Sequence, residues 1–285
     1  MTSAAASRNI SVNVGGSATG QMIVGDHNLV VSADHGAVIN VVQGERRAAP
    51  RPRASDSLPR PRDPVGMLDR HAEVEAATSA VRERQPVELH GQSGIGKTTL
   101  LNFLANHVDG IEFPDGIVCL SARRYEMEDV RQSLYEAFYE SDLPFKPSEA
   151  ALRLALRDKR ALILLDDTTL PREDAEELLD IAPRCAVVIA SPDRRLWRGE
   201  VLARGVRGLP PADALALAER ELGRTVSDDE RATLGAICAS LEGVPLRVVQ
   251  TMAMAREDNR SLADVARELG VSSPSGAAPP VAAAS

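Results

Sequence analysis

The chain has 285 residues, 44% of them apolar and 26% charged, with aromatic side chains at only 3%. That is an ordinary globular balance, enough for one substantial domain with appendages and a core built from Leu, Val, Ile and Ala. A net charge of −8 argues against nucleic acid as the main partner, because neutralising phosphates takes clustered Lys and Arg.

No stretch reaches the roughly 20 apolar residues needed to cross a bilayer, and the start lacks the charged-then-apolar pattern of a leader. Cys119, Cys185 and Cys238 are too far apart for a metal knuckle and read as reduced thiols buried in apolar runs. A cytoplasmic protein without a membrane span is expected.

Residues 1–44 are rich in Gly, Val, Asn and Ser. Three short β runs stand out: "NISVNVGG", "QMIVGDHNLVV" and "GAVINVV". Each is bounded by turn-forming residues. Together they offer too little apolar surface for an independent core, so residues 9–42 are expected to act as an interaction segment for a protein partner. Residues 45–63, "ERRAAPRPRASDSLPRPRD", have the Pro/Arg composition of an extended, solvated linker.

From 64 onward apolar runs alternate with amphipathic helical patterns. The spacing predicts a helix at 69–84, a strand at 86–90, a helix at 97–107, a strand at 116–121 and helices at 126–140 and 148–158. A strand at 161–166, a helix at 172–180, a strand at 185–190 and a short strand near 205–208 follow. This is an α/β pattern, a parallel sheet with helices on both faces, expected over 64–208. After "GLPPADA" only helices are predicted, at 211–222, 227–240, 245–256 and 260–269, forming a small helical subdomain over 209–270. The tail, 271–285, is Ser, Pro and Ala and is expected to be disordered.

Chemistry concentrates at the carboxyl ends of the predicted strands. "VELHGQSGIGKTTLL" holds Gly91, Gly94, Gly96, Lys97 and Thr98 in the spacing G-x-x-x-x-G-K-T, between a strand and a helix as that motif requires. Over Gly91, Gln92, Ser93, Gly94, Ile95 and Gly96 the glycines let successive N–H groups turn inward on phosphate oxygens, and the helix start adds partial positive charge. Lys97 is placed to reach the outer phosphates, the Thr98 hydroxyl to ligate Mg²⁺ and Thr99 to approach the α-phosphate. "ALILLDDTTL" supplies Asp166 for the Mg²⁺ shell and Asp167 to orient a water. After the next strand, "CAVVIASPDRR", Ser191 and either Arg194 or Arg195 are candidates to read the γ-phosphate, although an Arg pair in that place is as often a solvated surface.

The order "GQSGIGKTTL", "LILLDD", "VVIASPDRR", "RGLPPADALALAERELG" and "CASLEGVPLRVV" resembles the NB-ARC type of STAND signalling ATPases over residues 64 to 256. The resemblance implies ATP or ADP with Mg²⁺ as ligands. It implies that Pro245 of "EGVPLRVV" lies against the nucleotide and that Val65 and Gly66 of "PVGMLDRHAEVEAA" pack near the adenine. Two departures stand out. Met67 follows Gly66 where that family has Arg, and Ala190, Ser191 and Pro192 replace its Thr-Thr-Arg, which puts γ-phosphate sensing in doubt. The resemblance stops near residue 256, and the winged-helix and repeat-sensor domains of that family are not expected within these 285 residues.

The segment "MIVGDHNLV" is similar to RHIM-type amyloid signalling motifs through Met22, Val24, Gly25, Asn28 and Val30, with Ile23 where Gln is common. High β propensity with almost no charge and no proline also suits stacking between chains; the alternative is a hairpin that docks on the ATPase or on a partner. The expected function is an ATP/ADP-binding switch with slow hydrolysis that forms a homo-oligomer when activated and then presents this segment. The alternatives are an AAA-like ATPase with steady turnover and, less well supported because no basic recognition helix is present, a transcription regulator component.

Overall fold

The computed structural model describes residues 8–15, 23–25, 28–30, 38–45, 50–55, 58–64, 66, 70–108, 112–141 and 146–271. Val65 and the tail beyond 271 lie outside the described residues. The chain divides into two units: residues 1–51 with 140–145, and residues 52–139 with 146–285.

In the first unit, β1 (Arg8–Gly15) pairs antiparallel with β4 (Val38–Glu45), in a register that sets Asn13 opposite Asn40. Four strands form where three runs were expected. The middle run is folded on itself, β2 (Ile23–Gly25) against β3 (Asn28–Val30), with Ile23 opposite Val30 and Gly25 opposite Asn28.

The second unit is built on five parallel strands. In chain order these are β6 (Val87–His90), β7 (Ile117–Ser121), β9 (Leu162–Asp166), β10 (Ala186–Ser191) and β11 (Leu202–Gly205). The two-residue strands β5 (Arg51–Pro52) and β8 (Tyr139–Glu140) lie outside this sheet. The sheet order is β11-β6-β10-β9-β7, so β10 stands between the strand that leads into the glycine-rich loop and the strand that ends in Asp166.

Alternation explains the two covered faces. Leu162, Leu164, Ala186, Val188, Ala190, Val87 and Leu89 share one cluster with α1 (His71–Arg82) and α2 (Lys97–His107). Ile163, Leu165, Val187 and Ile189, which point the other way, are equally buried. On the connections between β7 and β10 lie α3 (Met127–Phe138), α4 (Glu149–Leu156) and α5 (Arg172–Ile181). The last strand falls at 202–205 rather than near 205–208. It must pair with Val87–His90, and that ladder closes with the Val206 N–H on the His90 carbonyl; Arg207 and Gly208 already turn toward the helices.

Four helices follow: α6 (Pro211–Leu222), α7 (Asp228–Ser240), α8 (Pro245–Glu257) and α9 (Leu262–Glu268). They have their own cluster, in which Val248, Met252 and Ala255 of α8 keep the i, i+4, i+7 spacing of a buried helix face. The start of α7 is held by a capping box between Ser227 and Glu230. The Arg224 guanidinium forks onto the Glu230 carboxylate at 2.8 Å on both oxygens and pushes its pKa down to about 2.

Val244, the N-cap of α8, is fully buried, and with the sheet cluster rather than with the helices. The two cores are therefore pinned at one point. Beside it, the Leu209 N–H donates to the Gly243 carbonyl at 2.8 Å, and Gly208 lies against the carbonyl of Glu242.

The described residues of the Pro/Arg segment are mostly exposed, but from Pro52 onward they are not free of the body. The Arg53 N–H donates to the Phe138 carbonyl at 2.8 Å, the Asn106 side chain to the Pro61 carbonyl at 3.2 Å, and Leu58 lies beside Gly116. A proline lacks the N–H donor but keeps its carbonyl, and that of Pro61 accepts from Asn106. All three cysteines are free, two buried and Cys119 half-buried, and burial pushes each thiol up to about 11. No helix of the described residues is long and apolar enough to cross a membrane.

Two glycines give a paired test. A Cβ on Gly208 would sit 1.9 Å from the Glu242 carbonyl oxygen, whereas one on Gly235, inside α7, meets nothing within 4 Å. Gly208→Ala is expected to cost about 2–4 kcal/mol by forcing the junction apart, and Gly235→Ala to gain about 0.5–1 kcal/mol. Denaturant unfolding of the two variants checks both signs.

Candidate functional site

The backbone between β6 and α2 makes the wall of a cavity of about 580 Å³. Gly91, Gly94 and Gly96 all have positive φ, 152°, 79° and 105°, a conformation that side chains other than glycine adopt only at a cost. At Gly94 space is also short: an added Cβ would come within 2.7 Å of the Leu246 Cβ. The helix that follows starts at Gly96 with no side-chain cap and no acidic residue in its first turn. Its first N–H groups and its positive dipole end are thus left for an anion.

Lys97 is nearly buried, and its ammonium donates to the carbonyls of Gly91 at 2.6 Å and Gln92 at 3.1 Å. Burial pushes its pKa below the ordinary value, against the pull of Asp167 and Asp166. Ser93, Gly94, Ile95, Gly96, Lys97, Thr98 and Thr99 line the cavity. Gly91 and Gln92 stand behind it. The Gly91 N–H donates to the carbonyls of Ser191 and Pro192, and the Gln92 amide to Glu242 at 3.4 Å.

Opposite the loop, the Thr98 hydroxyl donates to the Asp166 carboxylate at 2.8 Å. Burial pushes the Asp166 carboxyl above its usual range, while the Thr98 bond and the Asp167 N–H pull it back. Two hard oxygens, a hydroxyl and a carboxylate, converge beside a phosphate-binding backbone; that donor set fits a small divalent cation such as Mg²⁺. Asp167 lines the same cavity in a left-handed conformation, φ 52°. The far wall comes from Pro64, Gly66, Leu209, Leu217, Arg220, Pro245, Leu246 and Val249. Pro245 is at the first turn of α8, where a missing N–H is harmless.

Two expected residues are elsewhere. The Ser191 hydroxyl is fully buried and donates to the Glu88 carboxylate at 3.0 Å. Glu88, itself fully buried in β6, also accepts the N–H groups of Arg195 at 2.6 Å and Leu196 at 2.9 Å. A buried carboxylate needs such partners, and this one takes the hydroxyl that was expected to face the γ-phosphate. Arg194 is exposed; its Nε donates to the Leu196 carbonyl at 3.2 Å and its guanidinium stacks 4.2 Å from the Trp197 ring. Neither lines the cavity.

Three cations of the cavity were missed: Arg70, Arg123 and Arg220. Arg70, only 6% exposed, donates to the Ile95 carbonyl at 3.1 Å and the Arg207 carbonyl at 2.8 Å. A guanidinium thus reaches the loop from four residues beyond Gly66, although Met67 occupies the expected place. Arg220 donates to the Gly66 carbonyl at 2.9 Å. Arg123 pairs with Asp167, Nε to Oδ2 3.1 Å. It stands two residues past the end of β7, and in a parallel sheet all carboxyl ends face the ligand crevice; that was the available signal.

A parallel sheet with a strand–glycine loop–helix crossing and an Asp at the end of a neighbouring strand defines a P-loop NTPase. Residues 70–188 match the NB-ARC domain family, a similarity that supports nucleotide binding by that part of the chain. Among solved structures, the Walker-type ATPase PABY2304 of Pyrococcus abyssi is 13% identical with a TM-score of 0.51, covering 74% of this chain and 73% of that one. A RuvB mutant of Thermotoga maritima is 14% identical with a TM-score of 0.43, covering 75% of each. A STAND protein with a tetratricopeptide repeat sensor, PH0952 of Pyrococcus horikoshii, is 16% identical with a TM-score of 0.40; the match covers 75% of this chain but 33% of that one. The first of these supports the shared fold and no more. No curated protein matches the chain.

Lys97→Ala is expected to weaken binding of a fluorescent ATP or ADP analogue by about 10- to 100-fold through loss of a charge-assisted contact. Arg194→Ala, outside the cavity, is expected to leave it unchanged. A fluorescence titration of both variants decides between this placement and the reading in which Arg194 senses phosphate.

Proposed function

We propose that the chain is an ATP/ADP-operated switch whose nucleotide site is shared by the sheet and the four-helix subdomain, over residues 64–208 and 209–270. The observation that carries this reading is at the start of α8: the Leu246 N–H donates to the Gly94 carbonyl at 3.2 Å, while Pro245, Leu246 and Val249 line the same cavity as the phosphate loop. A ligand in that cavity touches both bodies, so its affinity depends on how they are arranged. By the same linkage, the ligand biases the arrangement.

In this reading Lys97 and the N–H groups from Ser93 to Thr99 hold the phosphates, with Thr98 and Asp166 on Mg²⁺ and Asp167 orienting a water. The apolar wall of Pro64, Leu217, Pro245 and Val249, together with Gly66 and Val65, takes the base. Diphosphate favours the closed arrangement described above. Triphosphate favours an open one that assembles with further copies of this chain and clusters residues 9–42, an adhesion element that works by pairing β strands between chains.

The competing reading, an ATPase with steady turnover that remodels a partner, rests on Asp167, a half-exposed carboxylate in the cavity. Light scattering coupled to size exclusion tests the first reading. A monomer mass with ADP and a multiple of it with a slowly hydrolysed ATP analogue are expected. An unchanged mass in both, with steady turnover abolished by Asp167→Asn, would favour the second.

A further inference from the structure

We propose that Arg123 is the group that distinguishes triphosphate from diphosphate in this site, by exchanging the Asp167 carboxylate for the γ-phosphate. The inference rests on the nucleotide-binding reading above. It starts from the charges that line the cavity: Arg70, Lys97, Arg123 and Arg220 against Asp166 and Asp167. Two of the guanidinium groups have structural work. Arg70 is buried on the carbonyls of Ile95 and Arg207, and Arg220 holds the Gly66 carbonyl. Lys97 belongs to the phosphate loop itself. The Arg123 guanidinium has one ion-pair partner among the described residues, Asp167, and is 77% exposed. It is therefore cheap to redirect.

Its place is set by the sheet. The register of β7 and β9 ends with Ser121 opposite Asp166, and the Ala122 N–H carries the ladder one step further, donating to the Asp166 carbonyl at 2.8 Å. Ala122 is thereby level with Asp167, and Arg123 follows one residue on, with its side chain on the Asp167 carboxylate. The chain then reverses, closed by the Tyr125 N–H on the Ala122 carbonyl at 3.0 Å. Asp167 itself and Arg124, the residue after Arg123, are held in left-handed backbone that side chains other than glycine avoid: φ is 52° at Asp167 and 62° at Arg124. Strain of this kind persists where the surroundings over-determine it, and it gathers at working sites. Meanwhile β10, the strand from which the γ-phosphate contact was expected, has its hydroxyl sequestered by Glu88. The role is open on that strand, and the next mobile cation in the cavity is Arg123.

The exchange has a second consequence. While Arg123 holds Asp167, that carboxylate is engaged with a cation at the wall of the cavity. When a dianionic γ-phosphate draws the guanidinium away, Asp167 is released beside the bond to be cleaved. A planar fork that prefers two phosphate oxygens over one carboxylate oxygen suits that trade.

The test is a competition titration of the full chain and its Arg123→Ala and Arg123→Lys variants with ADP and with ATPγS. Arg123→Ala is expected to weaken ATPγS by about tenfold or more, the loss of one charge-assisted fork, with ADP unchanged; Arg123→Lys should fall between. Equal loss for both nucleotides, or loss for neither, overturns the proposal while leaving the nucleotide site in place. A wild-type chain that binds neither nucleotide overturns the underlying reading instead. Because Arg123 is exposed, thermal melting of the variants should match the wild type, which separates a lost contact from a lost fold.

Discussion

The start of α8 is the point on which the arrangement of the second unit depends. Val244 is buried among sheet residues, and two residues later the Leu246 N–H meets the carbonyl of Gly94. Leu246 can come that close only because Gly94 has no side chain. The glycine that shapes the phosphate loop is thus also the glycine that admits the helical subdomain. Pro245 contributes by omission: it has no N–H to leave unpaired at the first turn of the helix. Gly208 and Gly243 serve the same seam, each with backbone packed where a side chain would be. Three close approaches along this seam, at Gly94, Gly208 and Gly243, couple the helices to the loop.

The second constraint is the buried Glu88. A carboxylate in the middle of a parallel sheet would be costly if unpaired. Here both oxygens are satisfied, and the donors come from the last residue of β10 and the segment after it. This draws Ser191 inward and fixes Arg195 and Leu196, so the carboxyl end of β10 is a structural element. The charge that faces the outer phosphate position is left to the end of β7. The pairing of Arg123 with Asp167 follows from the β7–β9 register rather than from any local motif, and the nucleotide switch proposed above gains a cation able to respond to the number of phosphates.

Much of this was legible in the sequence where the signal is local. Strand, glycine loop and helix follow one another within fifteen residues, and the helices after Gly208 announce themselves by periodicity and by caps such as Ser227 with Glu230. The Thr98–Asp166 contact was legible too, because both residues close motifs with a known spatial relation. What was not legible depends on pairing between distant segments. Glu88 reads as one polar residue in an apolar strand until Ser191 is set beside it across 103 positions. Arg70, at the N-cap of α1, and Arg123, past the end of β7, carry no local motif that marks them as part of the cavity. The last strand was placed three residues late because its limits are set by the length of β6, not by its own composition. In the first unit, strand propensity was plain, but it was the pairing of β2 with β3 that divided one run into two.

The account's central claim is that one nucleotide bridges the phosphate loop and the start of α8. Hydrogen–deuterium exchange on the full chain, with and without ADP and Mg²⁺, tests it directly. The account predicts that ADP slows exchange in two separate segments together, residues 91–99 and residues 244–250. Slowing confined to the phosphate loop, with the start of α8 exchanging as before, would contradict it.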